Sequence, residues 1–165
     1  MIPHLDGATV LTAAQDAVKA VNQAVVPYLS RQIPLLDLKL QSNTICAVVH
    51  NLLARGISEL NNAWQLREKG SAGGDLGGPE NIEVEIKTTT DRRIKGNRIK
   101  LKTGYFICLF LSKPAPEGLT LREVRCGYVQ RQDWHVMPKT QFAYIKPEVI
   151  QMMDRVFPAT ETAVP

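Results

Sequence analysis

An uninterrupted apolar run at residues 105–111, YFICLFL, constrains the fold more than any other feature of this chain. A strand with no polar position has no face that can remain in water, so we expect this run at the centre of a sheet that is covered on both sides. Residues 82–87 alternate apolar and charged side chains, as a half-buried strand does, and residues 121–129 predict a further strand. The pattern therefore predicts a mixed β-sheet flanked by helices.

Two segments in the first part of the chain have apolar residues at helical spacing. The first covers residues 8–29, with Pro27 at its end or in its last turn. Its narrow apolar stripe suits a core helix and would also suit contact with a dimer partner. The second begins at Ser42 or Asn43, either of which can cap a helix, and is expected to reach about residue 69.

The remainder of the chain predicts further local elements and one domain. We expect a hairpin turn at residues 94–98, an irregular segment from Asp133 and a closing helix at residues 148–157. Together the elements predict an α/β (α+β) fold in a single domain of residues 1–158, followed by a flexible tail at residues 159–165.

Length and composition exclude several classes of protein. A chain of 165 residues can form a core that needs no disulfides. Residues 1–7 lack the regions of a secretory signal and no apolar run is long enough to cross a membrane, so we expect a cytoplasmic protein. The cysteines are expected to be reduced core residues, and the isolated histidines to be structural or surface residues. These are Cys46, Cys108 and Cys126, and His4, His50 and His135.

A glycine-rich turn carrying one aspartate, Asp75, leads into the alternating strand. Successive strand side chains point to opposite faces, so Glu83, Glu85 and Lys87 share one face. Two carboxylates with a third nearby can hold Mg²⁺, and an adjacent lysine can orient water or pair with a phosphate. The alternative is that these three side chains form the solvated face of an edge strand. No Gly-Lys-Ser/Thr follows the turn, which disfavours a P-loop. Its glycines are expected to supply turn conformations with positive φ and to let the backbone approach metal or DNA.

A basic cluster follows the acidic strand. Between positions 91 and 102 there are six cationic residues and a single acidic one. Next to a carboxylate site, such a cluster is expected to line a groove that follows a phosphate backbone, although a solvated hairpin tip is the alternative. The cations are Arg92, Arg93, Lys95, Arg98, Lys100 and Lys102.

This arrangement resembles the PD-(D/E)xK nuclease superfamily, and most of all the compact type II restriction endonucleases. The family pattern is an aspartate, about ten further residues, then an acidic residue, any residue and a lysine. Asp75, Glu85 and Lys87 match these positions, with Ile86 between the last two. Gly74 stands where the family often has a proline. The match covers residues 59–102, and the rest of the chain agrees only in the order of its elements.

The resemblance implies a restriction-endonuclease-like core and a Mg²⁺-dependent endodeoxyribonuclease, with Mn²⁺ as a substitute metal. Asp75 and Glu85 would hold the metal with the Ile86 carbonyl, and Lys87 would position the attacking water. Glu59, on the apolar side of the second predicted helix, is a candidate for the additional metal-site glutamate of several such families. Pairing of Glu59 with an arginine remains an equal alternative. Glu83 is a further accessory candidate.

The resemblance also implies double-stranded DNA as substrate, a homodimer and a cognate DNA methyltransferase that acts on the same site. The expected DNA contacts are the six cations of the basic cluster together with Asn97, and either Arg93 or Asn97 is expected to read a base. Three alternatives share the same features: a Holliday-junction resolvase, an RNA nuclease and a non-catalytic nucleic-acid-binding module.

Overall fold

The computed structural model describes residues 1–29, 42–67, 74–112 and 118–157, with side chains described only to residue 24 in the first range. The described chain forms three α-helices, nine strands and two short 3-10 turns, Pro79–Asn81 and Arg131–Asp133. The helices are α1 (Gly7–Leu29), α2 (Ser42–Leu60) and α3 (Pro147–Met152). The strands are β1 (Gln65–Leu66), β2 (Leu76–Gly77), β3 (Glu83–Thr89), β4 (Lys95–Asn97), β5 (Gly104–Leu111), β6 (Leu121–Val129), β7 (Trp134–Val136), β8 (Phe142–Ile145) and β9 (Asp154–Phe157).

The main sheet is mixed and has the strand order β1-β2-β3-β5-β6-β9. β3 and β5 are parallel, and the other neighbours are antiparallel. The predicted central strand is confirmed, because β5 lies between β3 and β6 and both of its faces are buried. Alternate side chains of β5 contribute to two different hydrophobic clusters, one on each face. The predicted α+β class with a mixed sheet and flanking helices is confirmed.

Helices α1 and α2 cover one face of this sheet. The apolar stripe of α1, which includes Val10, Ala14 and Val18, is buried in the same cluster as α2 and β3, so the prediction of a core helix is confirmed. Gly56 lies where the two helices meet, and a Cβ there would be 3.1 Å from the Cβ of Ala13. Glycine in the middle of α2 therefore allows a close helix contact. None of the helices in the described ranges is long and apolar enough to span a membrane.

A second sheet, with the order β4-β8-β7, covers the other face together with α3. The Trp134 ring packs edge-on against Phe106 with the ring centroids 6.0 Å apart. A Cβ on Gly96 would lie 2.5 Å from the Trp134 ring, so only glycine fits at this point of β4. This layer places β4 and β8 above the face of the main sheet to which β3 contributes its charged residues.

The second predicted helix is too long at its C-terminus. α2 ends at Leu60, nine residues before the expected end. The side chain of Asn61 accepts a hydrogen bond from the Ala63 N–H at 3.2 Å, and this local turn competes with continuation of the helix. Trp64 therefore lies outside the helix, where it is buried and donates from Nε1 to the His4 carbonyl at 3.0 Å.

The predicted closing helix is also shorter than expected. α3 ends at Met152, because the Arg125 guanidinium donates to the carbonyls of Ile150, Gln151 and Met153 and so caps the helix C-terminus. Residues 154–157 then pair with β6 as strand β9.

Two further predictions in the second half of the chain are wrong. The segment expected to be a hairpin turn at residues 94–98 contains strand β4, and the turn comes later, where the Lys100 N–H donates to the Asn97 carbonyl. The segment expected to be irregular from Asp133 contains strand β7. Both strands pair with β8, β4 from a distant part of the chain and β7 as its neighbour in sequence. The expected connection at residues 30–41 and the expected tail at 159–165 lie outside the described residues.

Candidate active site

The pairing of β2 with β3 brings Asp75 to the acidic strand. Leu76 is opposite Val84, so the preceding residue, Asp75, lies at the part of β3 that holds Glu85. The Asp75 N–H donates to the Val84 carbonyl at 2.8 Å, and the Ile86 N–H donates to Asp75 Oδ2 at 2.7 Å. The nine residues between Asp75 and Glu85 therefore form a reversal that joins the two ends of the motif.

Gly74, the residue before Asp75 in the glycine-rich turn, permits this approach. A Cβ on Gly74 would lie 2.5 Å from the Val84 carbonyl oxygen and 2.7 Å from its carbonyl carbon. Backbone atoms in a paired strand cannot move aside, so a side chain here would separate the turn from β3. The glycine serves close approach to the neighbouring strand, whereas approach to metal or DNA was expected.

Glu85 is the one charged or polar residue classed as buried in the described chain, with 6% of its surface exposed. Its Oε1 accepts a hydrogen bond from the Lys87 ammonium at 2.5 Å, and its Oε2 accepts one from the Lys102 ammonium at 2.5 Å. Two cations on one carboxylate satisfy both of its oxygens in a site from which water is largely excluded.

The alternating pattern of β3 is confirmed, but its charged face is not a solvated edge. Glu85 pairs in register with Phe106, and Lys87 pairs with Cys108, so both lie on the face that the second sheet covers. β3 is an interior strand between β2 and β5. The alternative of a solvated edge strand is therefore excluded.

His50 of α2 is part of this site, although its isolation in the sequence predicted a structural or surface role. Its Nε2 lies 3.3 Å from Asp75 Oδ1. Burial alone would raise the pKa of Asp75. The hydrogen bonds from His50 and Ile86 and the positive charges of His50 and Lys87 outweigh that effect, and the pKa is held below its ordinary value of 3.8. Asp75 is therefore a carboxylate at neutral pH.

The structure does not bring Glu59 to the site. Its side chain is 64% exposed, and its Oε1 accepts a hydrogen bond from Arg55 Nε at 2.7 Å. Glu59 is nine residues beyond His50 on α2, which corresponds to about 13 Å along the axis and the opposite side of the helix. The alternative role, pairing with an arginine, is the one observed.

Glu83 is on the same face of β3 as Glu85, but its carboxylate has other partners. It forms an ion pair with Arg67 and accepts a hydrogen bond from the Gly74 N–H at 3.1 Å. Glu83 therefore fastens the end of the glycine-rich turn to β3. It supports the position of Asp75 rather than adding a third carboxylate to the site.

The basic cluster divides into three groups. Lys102 pairs with Glu85 within the acidic site. Arg93 lies over the Tyr144 ring at 4.5 Å and Lys95 over the Phe142 ring at 3.3 Å, which places both cations on the outer face of the second sheet. Arg92, Arg98 and Lys100 are exposed in the connecting segments.

The side chain of Asn97, which was predicted to contact DNA, binds the backbone of the turn after β4. Its Oδ1 accepts a hydrogen bond from the Ile99 N–H at 2.9 Å and so holds the turn that follows β4. Ile99 itself is 83% exposed, and residues 98–102 do not form the strand with one basic and one apolar face that their alternation predicts.

A cavity of about 580 Å³ joins the acidic site to the outer basic face. His50 and Lys87 line one end of it, and Arg93, Lys95 and Tyr144 line the other. The N-terminal turns of α2 and the threonines at the end of β3 form the walls between them. An extended anionic ligand that lies on Arg93 and Lys95 would therefore extend to His50 and Lys87.

Comparison of the chain with models of protein families, with curated proteins and with solved structures gave no match. Function is therefore inferred from the residues of this site. In the described ranges, no three His, Cys, Asp or Glu side chains converge in a geometry that could hold a metal ion. The oxygen donors of this site are the carboxylate of Asp75, which accepts from the Ile86 N–H, and the carboxylate of Glu85, the residue before Ile86.

Proposed function

We propose that the protein is a Mg²⁺-dependent endodeoxyribonuclease of the PD-(D/E)xK type, which hydrolyses phosphodiester bonds of double-stranded DNA as a type II restriction endonuclease does. The observation that carries this proposal is the contact of Asp75 with the segment that holds Glu85 and Lys87. The Ile86 N–H binds Asp75 Oδ2 at 2.7 Å, and the Lys87 ammonium binds Glu85 Oε1 at 2.5 Å. Three residues that the motif pairs in sequence meet in one place.

The surrounding fold supports a restriction-endonuclease-like core. Its acidic strand β3 is interior to a mixed sheet, antiparallel to β2 and parallel to β5, and α1 and α2 cover one face. A catalytic carboxylate on an interior strand has few accessible rotamers, because the strands on either side restrict it.

The donor atoms fit Mg²⁺, which accepts oxygen ligands from one or two carboxylates and completes its octahedron with water and substrate phosphate. Asp75 and Glu85 would supply the carboxylates and Ile86 the carbonyl oxygen, and Mn²⁺ would be accepted by the same donors. A site with two carboxylates and an open cavity beside it does not need a third protein carboxylate for this metal. When bound, the metal would activate a water molecule and neutralise charge on the phosphate.

Each neighbouring residue has a role in this proposal. Lys87, whose side chain is 30% exposed at the end of the cavity, would orient the attacking water or pair with the scissile phosphate. His50 would hold Asp75 from its Oδ1 while the Ile86 N–H holds Oδ2. The Asp75 carboxylate is thus fixed from both oxygens before substrate arrives.

DNA would bind along the outer face of the second sheet. The rings of Tyr144 and Phe142 hold Arg93 and Lys95 at fixed positions, from which they would contact successive phosphates. The exposed cations Arg92, Arg98 and Lys100 would add phosphate contacts nearby. The protein would act as a homodimer in the cytoplasm and cut both strands of a symmetric site. A methyltransferase that modifies the same site would protect the cell's own DNA.

The experiment is to incubate the protein with unmethylated phage and plasmid DNA in Mg²⁺, beside an EDTA control and a Lys87→Ala variant. The proposal predicts discrete fragments with the wild type and Mg²⁺ alone, with 5′-phosphate and 3′-hydroxyl ends. Cleavage of four-way junctions with linear DNA left intact would identify a resolvase, and cleavage of RNA alone would identify an RNA nuclease. Salt-sensitive binding of nucleic acid with no cleavage in any metal would refute the catalytic role.

A further inference from the structure

We propose that Lys102 is a second lysine of the acidic site, a positioning residue that holds Glu85 on the oxygen opposite to Lys87. The sequence grouped Lys102 with the DNA contacts. This inference rests on the proposed function, because it assigns to Lys102 a role in the orientation of a catalytic carboxylate.

The first support is the geometry at Glu85. The Lys87 ammonium binds Oε1 and the Lys102 ammonium binds Oε2, each at 2.5 Å. A carboxylate held at one oxygen can still turn about its terminal torsion, which is a soft rotation. With a cation on each oxygen, the plane of the Glu85 carboxylate is fixed, and its buried charge is compensated.

The second support is the way in which Lys102 is held. The Trp134 Nε1–H donates to the Lys102 carbonyl at 3.0 Å, and Trp134 is 6% exposed in the core beneath the second sheet. The preceding residue, Leu101, packs against the same cluster. The backbone at position 102 is thus attached to the second core, and its side chain reaches a strand that lies 17 residues earlier.

The third support is the contrast between Lys102 and Lys100. Lys100 belongs to the same basic cluster and is exposed, whereas the Lys102 ammonium is bound to a buried carboxylate. A lysine that contacts a phosphate increases DNA affinity and makes that affinity depend on salt. A lysine that only positions a carboxylate does neither. The two residues therefore make a matched pair for experiment.

The first measurement is independent of cleavage. The urea midpoint of unfolding is measured for Lys102→Met, Glu85→Gln and the double variant. As a control for the loss of one positive charge, Lys100→Met is measured in the wild type and in Glu85→Gln. We expect Lys102→Met to lower the midpoint when Glu85 is present and to have a much smaller effect in the Glu85→Gln background. Lys100→Met is expected to leave the midpoint unchanged in both. Additive effects of Lys102→Met and Glu85→Gln would overturn the inference.

The second measurement separates a positioning role from a DNA contact. For Lys102→Met we expect kcat to fall by about 10–100-fold, as for other residues that orient a site residue, while the Kd for DNA in EDTA stays within about twofold of wild type. Lys100→Met is expected to weaken DNA binding instead. Trp134→Phe, which keeps a ring but loses the N–H, is expected to lower kcat in the same direction as Lys102→Met, and Lys102→Arg to restore part of the rate.

A weaker Kd with unchanged kcat in Lys102→Met would overturn the inference and return Lys102 to the DNA contacts. Failure of the proposed function has a different signature. If the wild type cleaves no substrate while the stability cycle remains non-additive, the nuclease proposal is refuted and the pairing of Lys102 with Glu85 is supported.

Discussion

Substitution of Gly74 by alanine tests how the glycine-rich turn builds the site. The added Cβ would lie 2.5, 2.7 and 2.9 Å from the carbonyl oxygen, carbonyl carbon and nitrogen of Val84. Overpacking of this kind costs about 1–3 kcal/mol, and the upper half of that range applies because all three atoms belong to the backbone. Separation of the turn from β3 would also weaken the 2.7 Å bond from the Ile86 N–H to Asp75, a charged hydrogen bond that contributes about 1.5–3 kcal/mol.

Alanine restricts the unfolded chain more than glycine does, which offsets about 0.4–1 kcal/mol of this loss. The net expected destabilisation of Gly74→Ala is therefore about 3 kcal/mol, with the hydrogen bond only partly lost. In a domain of this size, 1 kcal/mol shifts Tm by about 2–4 °C, so Tm should fall by about 6–12 °C. Cleavage should fall with it, because Asp75 is the next residue.

Gly77→Ala is the matched control. A Cβ there meets only the flexible Arg67 side chain at 3.6 Å or more, and neither Gly77 nor Gly74 has a φ in the left-handed region. We expect Gly77→Ala to change stability by less than about 1 kcal/mol. Urea unfolding followed by fluorescence of the buried Trp64 and Trp134 gives both values. Equal stability of the two variants would refute the close approach of Gly74 to β3.

Three other predictions concern single side chains. Glu59→Gln should leave the cleavage rate within about twofold of wild type, since the exposed carboxylate pairs only with its own helix; a large loss of rate would restore Glu59 to the active site. The folded-state pKa of Asp75 is lowered, so its contribution to stability is present above pH 3.8 and is lost as pH falls through the folded pKa. His50→Gln should therefore reduce the fall of the urea midpoint in acid. An identical pH profile of the midpoint in wild type and variant would contradict this role of His50. Thiol reagents should modify Cys108 and Cys126 only on unfolding, since burial raises the pKa of Cys126 to about 12 and that of Cys108 further; rapid labelling of the native protein would show that these thiols are accessible.

Local sequence patterns predicted the strands that position the site. The apolar run of β5 and the alternation of β3 each specify a strand, and both strands are observed, although Glu85 on the charged face of β3 is buried rather than solvated. The spacing of Asp75 and Glu85 around a glycine-rich turn also predicted that their segments meet, because a reversal of this length can pair the two ends. These features depend on neighbours in sequence or on a short turn.

Most of the missed features depend on contacts between distant segments. Strand β9 is four residues long and pairs with the distant strand β6, and β7, which pairs with its neighbour β8, is only three residues long, so each leaves little local pattern. His50 is next to the buried stripe of α2, and its contact with Asp75 depends on how the helix packs on β3. In the sequence, Lys102 cannot be told apart from its cationic neighbours. The hydrogen bond that anchors its backbone comes from Trp134, 32 residues later, and leaves no local pattern.

Glu59 shows how a helical wheel can mislead. The wheel placed it beside Val48 and Leu52, but the core of α2 lies along Ile45, Val49, Leu53 and Ile57, and Val48 is itself 44% exposed. A small rotation of the assumed stripe moves a residue at its margin from the core to solvent.

The most direct test of the central claim compares the wild type with Glu85→Gln, a substitution that keeps the shape of the side chain and removes its charge. Single-turnover cleavage of a mapped DNA site and the Kd for that DNA in EDTA are measured for both proteins. We predict that Glu85→Gln loses at least about 10²–10³-fold in cleavage rate while it binds DNA at least as tightly, since a negative charge has been removed from the site. Cleavage by Glu85→Gln at the wild-type rate would contradict the assignment of Asp75, Glu85 and Lys87 as the catalytic centre.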